Sequence, residues 1–571
     1  MKIDPQNLTL SELLYGRLFT IPAYQRPYSW QDKQRNELFN DLISLHTKQQ
    51  DFHFMATVVA VSQGRKTLGT DEYQVMDVVD GQQRLTTLIL LLRAISLALP
   101  EGDPERSKLE GQLVMPDDHT LVLLQTNHDY AGYFIRYMRH GEKPQSEHFS
   151  SAADANLVAG IRSAEGFVRH WQEETNQPLQ VLLAILKNRL RFIFHALEDE
   201  RMVYTVFEVL NTRGLPVAWL DRAKAVLMGI AYEEAQNQQA MINELHAIWQ
   251  RIYEKVGLRQ GLSSEALRFA ATLWSSAEAS KVLSDSDALE VFRSSAMDDP
   301  NNTIEISAFI ERVAGALDKL LEDTQKAAVT KIAHARLLAI AIELTFAGEN
   351  RVRLLTQWEH SSFRIFGLGR RDSRSSIGDY VRLAHRVYRS DNNDADYRSS
   401  MHQIKALAQG KFSASTVVDN LRNTDCYDGW EESLRYFFFA RERWLDQNSD
   451  RPLLSADWHK IWQQSASRTV EHIFPQTPEA DSGWRTMLEE ADISTAEAVC
   501  HRLGNLVLLP KPMNSQASNA EFTVKRETYR TTGLMITDEI AALDSWTLDS
   551  IAERENELIA WAAEYWDDVE A

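Results

Sequence analysis

The chain has 571 residues, of which 44% are hydrophobic and 25% are charged, with a net charge of −20. This composition excludes a disordered, collagen-like or low-complexity protein, and the length predicts several domains. So acidic a chain also argues against a protein that coats nucleic acid without specificity. Two cysteines, Cys426 and Cys500, cannot build a disulfide framework or a four-thiolate zinc site. We therefore expect a cytoplasmic protein, with no signal peptide and no apolar run of the roughly 20 residues that span a membrane.

The N-terminal region predicts a mixed α/β structure. Residues 52–61 and 72–79 are rich in β-branched side chains and are typical of strands, and the ten residues between them have the composition of a turn. Residues 85–99 have the apolar spacing of a buried helix. The Asp-Gly pair between the second strand and the helix stands where a loop can present groups to a phosphate.

The middle of the chain, from about residue 120 to 440, predicts mostly helices. Residues 203–235 have the pattern of two helices separated by a Gly-Pro turn. Breaks are predicted at residues 298–302 and 390–396. We find no internal repeat and no low-complexity linker.

An arginine-rich stretch, residues 351–390, stands out in this acidic chain. Two interpretations are open: a solvated helix face, or a surface that faces phosphates. Under the second interpretation, the candidate contacts to a DNA backbone are Arg364, Arg370 and Arg371.

The last 120 residues predict a strand, a long insertion, a second strand, a loop and a helix. The strands are predicted over residues 467–474 and 505–510, and the helix over 518–530. Ser518 and Glu521 have the spacing of a capping box at the start of that helix.

Polar residues in this segment suit phosphodiester hydrolysis with one metal ion. Glu471 and His472 end the first strand, Asn505 opens the second, and Asn514 lies in the following loop. An imidazole is the natural base near neutral pH, and a carboxylate with an amide suits Mg²⁺ or Mn²⁺ better than zinc. We expect a cation held by Glu471 and a nearby amide to let His472 deprotonate the attacking water. An isolated histidine of this kind is more often a hydrogen-bonded residue at a strand end.

The strings EHIFPQ, LGNLVLLPKPMN and SNAEF resemble the C-terminal HNH-type (ββα-metal) nuclease domain of the GmrSD family of modification-dependent, type IV restriction endonucleases. The resemblance implies that His472 is the general base and Glu471 a metal ligand. It implies that Asn505 orients His472 or the central loop, and that Asn514 is the second ligand, with Asn519 as the alternative.

At the third motif position this chain has an amide where the archetypal set has a histidine, which favours a labile Mg²⁺. The following helix carries Lys525 and Arg526. They either clamp a phosphate or lie on a solvated helix face.

At the N-terminus, residues 21–30 and 77–88 carry a second set of polar groups. Arg26 and Arg84 can each make bidentate contacts to phosphate, and Gly81 allows a ligand to approach the backbone. Asp80 can hold a cation or orient water, and the rings of Tyr24, Tyr28 and Trp30 offer faces for base stacking. The alternative is a strand-to-helix turn with Asp80 as the N-cap and the aromatic residues in the core. The Walker A sequence is absent, which excludes a P-loop NTPase.

These strings resemble the N-terminal half of the same family, a ParB/sulfiredoxin-like domain, and residues 207–224 resemble its third motif. The resemblance implies binding and hydrolysis of a nucleoside triphosphate at Tyr24, Gln25, Arg26, Asp80, Gly81, Gln82, Gln83 and Arg84. Glu208, Asn211 and Arg213 either complete that site or lock their helix to it. The end of the third motif departs from the family pattern, although Asp221 and Lys224 keep a charged pair.

We therefore expect a multidomain, mainly α-helical protein. The predicted domains are a ParB/sulfiredoxin-like α/β domain (1–235), a helical middle (236–450) and a C-terminal helical domain with the HNH module (451–571).

The predicted function is a nucleotide-dependent endonuclease that cleaves or nicks modified foreign DNA with Mg²⁺ or Mn²⁺. The partners are double-stranded DNA and a nucleoside triphosphate, and no membrane. The sequence does not decide between GTP, UTP, CTP and ATP as the triphosphate. It also leaves open the DNA modification, which could be glucosylated cytosine, methylated cytosine or phosphorothioate, and whether the protein forms a homodimer. The alternatives are a nucleotide-sensing, DNA-binding regulator with a non-cleaving HNH module, and an enzyme that acts on nucleotides alone.

Overall fold

The structure, a computed structural model, describes most of the chain. The described residues are 5–22, 25–48, 51–115, 120–125, 132–144, 149, 152–197, 218–234, 238–256, 260–322, 329, 331–447, 469–509 and 519–569. They form two compact units, each considered by itself. The first unit comprises residues 1–271 and 283–315, and the second comprises 272–282 and 316–571.

A mixed sheet of six strands is the centre of the first unit. Its strands are β1 (Gln6–Thr9), β2 (Arg17–Ile21), β3 (His53–Leu68), β4 (Asp71–Asp80), β5 (Leu123–Gln125) and β6 (Leu190–Leu197), in the order β1-β6-β3-β4-β2-β5. β3 and β4 are antiparallel, whereas β2 runs parallel to both β4 and β5. Because parallel strands end at the same edge of a sheet, the segments that follow β2 and β4 begin close together.

The two predicted N-terminal strands are confirmed, but the predicted ten-residue turn between them is wrong. The ladder continues to the pair formed by Leu68 and Asp71, so the turn contains only Gly69 and Thr70. An irregularity in the register between Ser62 and Arg65 accommodates Gly64, which has a φ of 100°. The Gly- and Ser-containing composition that suggests a turn therefore reflects a bulge within a long hairpin.

Helices cover the sheet. They are α1 (Leu10–Leu14), α2 (Asp32–Thr47), α3 (Gln82–Ala98), α4 (Pro104–Leu113), α5 (Tyr133–His140), α6 (Ala152–Thr175) and α7 (Leu179–Arg189). The predicted buried helix is confirmed as α3, whose residues are buried almost without exception from Gln82 to Ser96. A helix that is apolar on every side lies inside a core, and α3 forms the main core together with the sheet.

Further helices follow in the chain: α8 (Trp219–Glu234), α9 (Gln238–Val256), α10 (Gln260–Trp274), α11 (Asp285–Asp298) and α12 (Asn302–Glu322). The predicted break at 298–302 is confirmed by the end of α11 and the start of α12. The first helix and the Gly-Pro turn predicted within 203–235 lie outside the described residues, whereas α8 confirms the second helix. Among the described helices, none has the length and apolar content required to cross a bilayer.

In its described residues, the second unit is helical apart from one pair of short strands. Its helices up to residue 447 are α13 (Ala333–Thr345), α14 (Gly348–Ser362), α15 (Ile377–Tyr388), α16 (Asp394–Leu407), α17 (Ala414–Asp419) and α18 (Glu431–Gln447), and a π-helical segment, Phe363–Leu368, follows α14. The gap between α15 and α16 confirms a break there, but it ends at Asn393, earlier than the predicted 390–396, because α16 begins at Asp394.

The C-terminal part carries the strand pair, β7 (Val470–His472) and β8 (Leu506–Leu508). Its helices are α19 (Gly483–Glu490), α20 (Glu497–Cys500), α21 (Phe522–Tyr529), α22 (Met535–Ala541) and α23 (Leu548–Tyr565). The predicted order of strand, insertion, strand and helix is confirmed, with shorter strands. The predicted capping box is wrong, because α21 begins at Phe522 and Glu521 itself is the N-cap. The Glu521 carboxylate instead accepts a hydrogen bond from the Gly483 N–H, while Ser518 lies outside the described residues.

The arginine-rich stretch of the second unit makes many contacts within the protein. Arg364, a predicted DNA contact, is only 2% exposed and donates to Asp568 over 2.7 Å, so that prediction is wrong. Arg370 is exposed but donates to the Asp425 carbonyl and stacks on Trp430. Arg371 is exposed over the Phe412 ring. Most of the charge in this stretch is therefore used inside the unit.

The structure confirms the predicted mainly helical, multidomain class. The predicted boundaries at residues 235 and 450 stay predictions, as do the ParB-like and HNH descriptions of the two ends.

Candidate functional site

The strand pair β7–β8 places the predicted nuclease residues. The strands are antiparallel, with Glu471 opposite Val507 and His472 opposite Leu506. Consecutive residues of a strand point to opposite faces, so Glu471 and His472 meet different surroundings although they are neighbours in sequence.

Glu471 faces helix α21. Its carboxylate Oε1 lies 2.6 Å from Nζ of Lys525, whose side chain is fully buried, and accepts a longer bond of 3.5 Å from Tyr529. Lys525 also donates to the His472 carbonyl over 2.6 Å. Burial is the largest influence on both charged groups: it raises the pKa of Glu471 and lowers that of Lys525, while each partner opposes the shift of the other. Lys525 therefore neither clamps phosphate nor lies on a solvated face, because it anchors α21 to β7.

His472 faces a second histidine. Its Nε2 lies 3.1 Å from Nδ1 of His501, and its Nδ1 lies 2.9 Å from the amide nitrogen of Gln476. The Tyr427 ring packs edge-on against His472 and parallel to His501. Burial, followed by the charges of His501 and Lys525, lowers the pKa of His472 to about 3. The imidazole is therefore neutral at physiological pH and retains one nitrogen lone pair, but with so low a pKa it holds a proton only weakly.

Asn505 holds the loop after β7. Its side-chain oxygen accepts from the N–H of Phe474 over 2.7 Å and from the Trp546 indole, and its amide nitrogen donates to the carbonyls of Phe474 and Cys500. This fully buried side chain has its polar atoms used by the protein. Asn505 thus fixes the chain that leaves His472.

The two asparagines considered as the second metal ligand are placed differently. Asn514 lies outside the described residues. Asn519 is described, and its amide donates to the Thr477 hydroxyl over 3.3 Å. Arg526, the other predicted phosphate contact, donates to the Ala541 carbonyl.

Sequence reasoning missed the segment 425–428, which reaches this site from before α18. Ligand atoms of Asp425, Asp428 and His501 all lie within 4.8 Å of one another, so among the described residues these three could hold a divalent cation. Burial acts to raise the pKa of Asp425, but bonds from the N–H groups of Tyr427 and Asp428 and nearby positive charge hold it below its usual value. The sequence signal, two aspartates three residues apart, is too common to have indicated this group.

The predicted ligand Glu471 does not fit a metal site as the structure describes it. Its carboxylate is already paired with a buried ammonium, and the His472 ring lies on the other face of the strand. The structure therefore does not bring Glu471 and His472 together around one cation.

In the first unit, the polar groups predicted from residues 21–30 and 77–88 lie near the end of β4. Asp80 is partly buried, and its Oδ1 accepts from the Gly81 N–H over 2.8 Å. Burial raises the pKa of Asp80, as does Asp221, whereas the Gly81 bond and the charges of Arg26 and Arg84 lower it. The two arginines and two carboxylates therefore lie within electrostatic reach of one another.

Gly81, rather than Asp80, is the N-cap of α3. It has a φ of 90°, and an added Cβ would lie 3.0 Å from the Thr57 carbonyl oxygen and from a methyl group of Val58. Only glycine fits this position without strain, because its conformation is left-handed and β3 lies against it.

Helix α8 supplies the second carboxylate. Asp221 lies 3.8 Å from the Arg26 guanidinium and accepts a 2.6 Å bond from the hydroxyl of Tyr253 on α9. Lys224 on α8 lies over the Tyr253 ring. The charged pair noted at the end of the third motif is thus part of this cluster, and Tyr253 is a member that the sequence did not indicate.

Glutamine side chains connect the loop after β2 to α3 and to the end of β4. The Gln83 amide accepts from the Ser29 N–H over 2.8 Å and donates to the Pro27 carbonyl over 3.0 Å. Gln25 donates to the Val79 carbonyl over 3.3 Å, and Gln82 is buried at the first turn of α3.

The aromatic residues described in this loop follow the core interpretation. Tyr28 is 5% exposed and its hydroxyl bonds to Thr87, so its ring offers no free face to a base. Trp30 packs against the same core. Tyr24, Glu208, Asn211 and Arg213 lie outside the described residues.

Both candidate sites lie in regions of the chain that match a known protein family. Residues 10–228 match the description "GmrSD restriction endonuclease, N-terminal domain", and residues 413–561 match "GmrSD restriction endonucleases, C-terminal domain". No curated protein matches the chain. The two matches cover more than half of the chain; the first includes Asp80, Arg26, Arg84 and Asp221, and the second includes His472 and its surroundings. The chain therefore belongs to the GmrSD restriction endonuclease family.

Proposed function

We propose that this restriction endonuclease is nucleotide-dependent and cleaves or nicks modified foreign DNA, with His472 as the general base. The observation that carries the proposal is the buried His472 ring, held at the end of β7 with one nitrogen beside the exposed Gln476 side chain. A water molecule that replaces the Gln476 amide would meet a lone pair there.

The cleavage step needs few atoms. His472 Nδ1 takes a proton from water, the water oxygen bonds to phosphorus, and the bond from phosphorus to one ester oxygen breaks. The departing oxygen takes up a proton from solvent. A positioned general base of this kind contributes about 10²- to 10⁴-fold in rate.

The proposed cleavage requires Mg²⁺ or Mn²⁺, so one of these cations is present in the assay. The Glu471 carboxylate is paired with the buried Lys525 ammonium, so it is not the group that would hold this cation. The groups that could hold a cation beside His472 are Asp425, Asp428 and His501.

The Asp80 cluster supports the nucleotide part of the proposal. Arg26 and Arg84 bring two guanidinium groups to the N-terminus of α3, where the helix dipole and free N–H groups also favour phosphate. Asp80 and Asp221 are candidates to orient a cation or water. Binding of a triphosphate here would gate the nuclease only to the extent that it binds the active state more tightly than the inactive one.

The test is a cleavage assay with Mg²⁺ on plain DNA and on DNA with methylated cytosine, glucosylated cytosine or phosphorothioate linkages. Each DNA is incubated with GTP, UTP, CTP, ATP or no nucleotide, using the native chain and His472→Ala. We expect cleavage of one modified DNA with one triphosphate, and none by the variant. Equal cutting of every DNA without nucleotide would overturn the gating, and an active variant would overturn the role of His472.

One observation favours a second function, a nucleotide-sensing, DNA-binding regulator whose HNH module does not cleave. Glu471 and His472 do not converge, because Lys525 holds the Glu471 carboxylate on the opposite face. This function predicts modification-specific DNA binding in a gel-shift assay with no nicked product at any Mg²⁺ or Mn²⁺ concentration.

A further inference from the structure

We propose that His501 is the positioning residue for His472, and that it selects the imidazole tautomer that cleavage requires. The inference rests on the proposed nuclease function and gives His501 a role other than that of a cation ligand. It follows from a chain of three polar side chains: Gln476, His472 and His501.

The direction of each hydrogen bond follows from the donors. The Gln476 amide nitrogen carries hydrogens only and lies 2.9 Å from His472 Nδ1 and 3.4 Å from Nε2, so we take the nearer nitrogen, Nδ1, as the acceptor that carries the lone pair. A neutral imidazole then carries its hydrogen on Nε2, which lies 3.1 Å from His501 Nδ1. His501 therefore accepts from His472 and bears its own hydrogen on Nε2.

This arrangement leaves His472 with its lone pair on the side of an exposed amide and its hydrogen on the side of a fixed partner. When Nδ1 takes a proton from water, the Nε2–H bond to His501 stays in place and stabilises the imidazolium that forms. The hydrogen bond made by one ring nitrogen decides which tautomer the other nitrogen presents.

His501 is itself held from several directions. Its carbonyl accepts from the Cys426 N–H over 2.8 Å, and its ring stacks on Tyr427 with an interplanar angle of 5°. The next residue, Arg502, is bonded to the buried Glu555 over 2.6 Å. The ring thus has little freedom to rotate away from His472, and this rigidity is required of a group that orients another.

The experiment measures kcat and KM for cleavage of a modified DNA by the native chain, His501→Ala, His501→Asn and His472→Ala. Exposed His402 on α16 provides a matched control, His402→Ala. We expect His501→Ala to lower kcat by roughly 10- to 100-fold, the usual effect of losing an orienting partner, with little change in KM. His501→Asn, whose amide oxygen can occupy about the position of Nδ1, recovers part of kcat, and His402→Ala has native activity.

A spectroscopic measurement on the native chain does not depend on any variant being active. With ¹⁵N-labelled histidine, the signals lost in His472→Ala identify His472, and we expect the tautomer with hydrogen on Nε2. Hydrogen on Nδ1 would overturn the proposal.

Three kinetic results would also overturn it: native kcat in His501→Ala, no recovery in His501→Asn, and a defect of His501→Ala that higher Mg²⁺ concentration removes. The last result would make His501 a cation ligand with Asp425 and Asp428. If His472→Ala itself cleaves normally, the proposed function fails before this inference is tested.

Discussion

In the first unit, Asp80 shares its surroundings with Arg26, Arg84 and a second carboxylate, whereas in the second unit Glu471 is held by one fully buried lysine. The Arg26–Asp221 contact is 3.8 Å long and partly exposed, while the Lys525–Glu471 contact is 2.6 Å long and sealed from solvent.

A cluster of partly exposed charges costs little to rearrange, so a ligand with its own charges can enter it. A sealed pair resists rearrangement, because separating it leaves an uncompensated buried charge. The comparison teaches that the charges of the Asp80 cluster can rearrange, as the proposed nucleotide site requires, whereas the Glu471–Lys525 pair holds β7 and α21 together.

The largest expected effect is on cleavage. His472→Ala should lower the cleavage rate by about 10²- to 10⁴-fold, because the variant lacks the base. Nucleotide hydrolysis should remain near the native rate, since His472 and the Asp80 cluster belong to different units. Nicking of supercoiled DNA and phosphate release measure the two activities. A parallel loss of both would show that the two sites cannot be treated separately.

The next effect is on stability. Lys525→Met should lower the free energy of unfolding by about 3–5 kcal/mol, because it leaves Glu471 buried without a counter-charge. The double variant Lys525→Met, Glu471→Leu should recover much of this loss. Arg26→Met is the matched change in the first unit and should cost at most about 1 kcal/mol. Urea unfolding measures all three, and equal losses for Lys525→Met and Arg26→Met would remove the distinction between the sites.

The third prediction concerns the affinity of the Asp80 cluster for a nucleoside triphosphate. Arg84→Ala should weaken triphosphate binding by about 1.5–3 kcal/mol, the usual worth of a hydrogen bond to a charged group. Titration calorimetry measures the affinity. Arg93→Ala is not a suitable control, because Arg93 is buried. Exposed Arg65 on β3, which pairs with the exposed Glu72 over 2.9 Å, is the better control. Undiminished affinity in Arg84→Ala would remove this arginine from the site.

The smallest effect is a pH dependence. Glu442 is a buried carboxylate that accepts from two backbone N–H groups, those of Met535 and Ile536, at 2.8 Å each. Burial, opposed by those bonds, raises its pKa from 4.5 to about 7. Between these values the folded protein keeps a proton that the unfolded chain has released, so this group makes stability fall as pH rises.

Glu442→Gln should remove that slope. The native chain should therefore lose stability relative to the variant as pH rises from about 5 to about 7. Thermal unfolding at three pH values across this range measures the difference. Parallel curves would mean that the N–H bonds alone keep Glu442 ionised, in contrast to Glu471, which depends on Lys525.

The sequence by itself determined the family, the strand-to-helix junction at Asp80 and Gly81, and the order of strands and helix around His472. These features are local, because each depends only on residues that are close in the sequence. They are runs of β-branched residues, a glycine that alone fits a left-handed turn, and the apolar spacing along a helix.

Only the tertiary structure decided which groups meet. Glu471 and His472 lie on opposite faces of β7, and their surroundings depend on what packs against each face. His501 and Asp425 lie near His472 because segments distant in the sequence pack together. Arg364, read as a surface residue from its basic neighbours, proved to be the buried partner of Asp568. Contacts between distant residues have no local pattern, because burial and charge pairing are satisfied only when the whole unit packs.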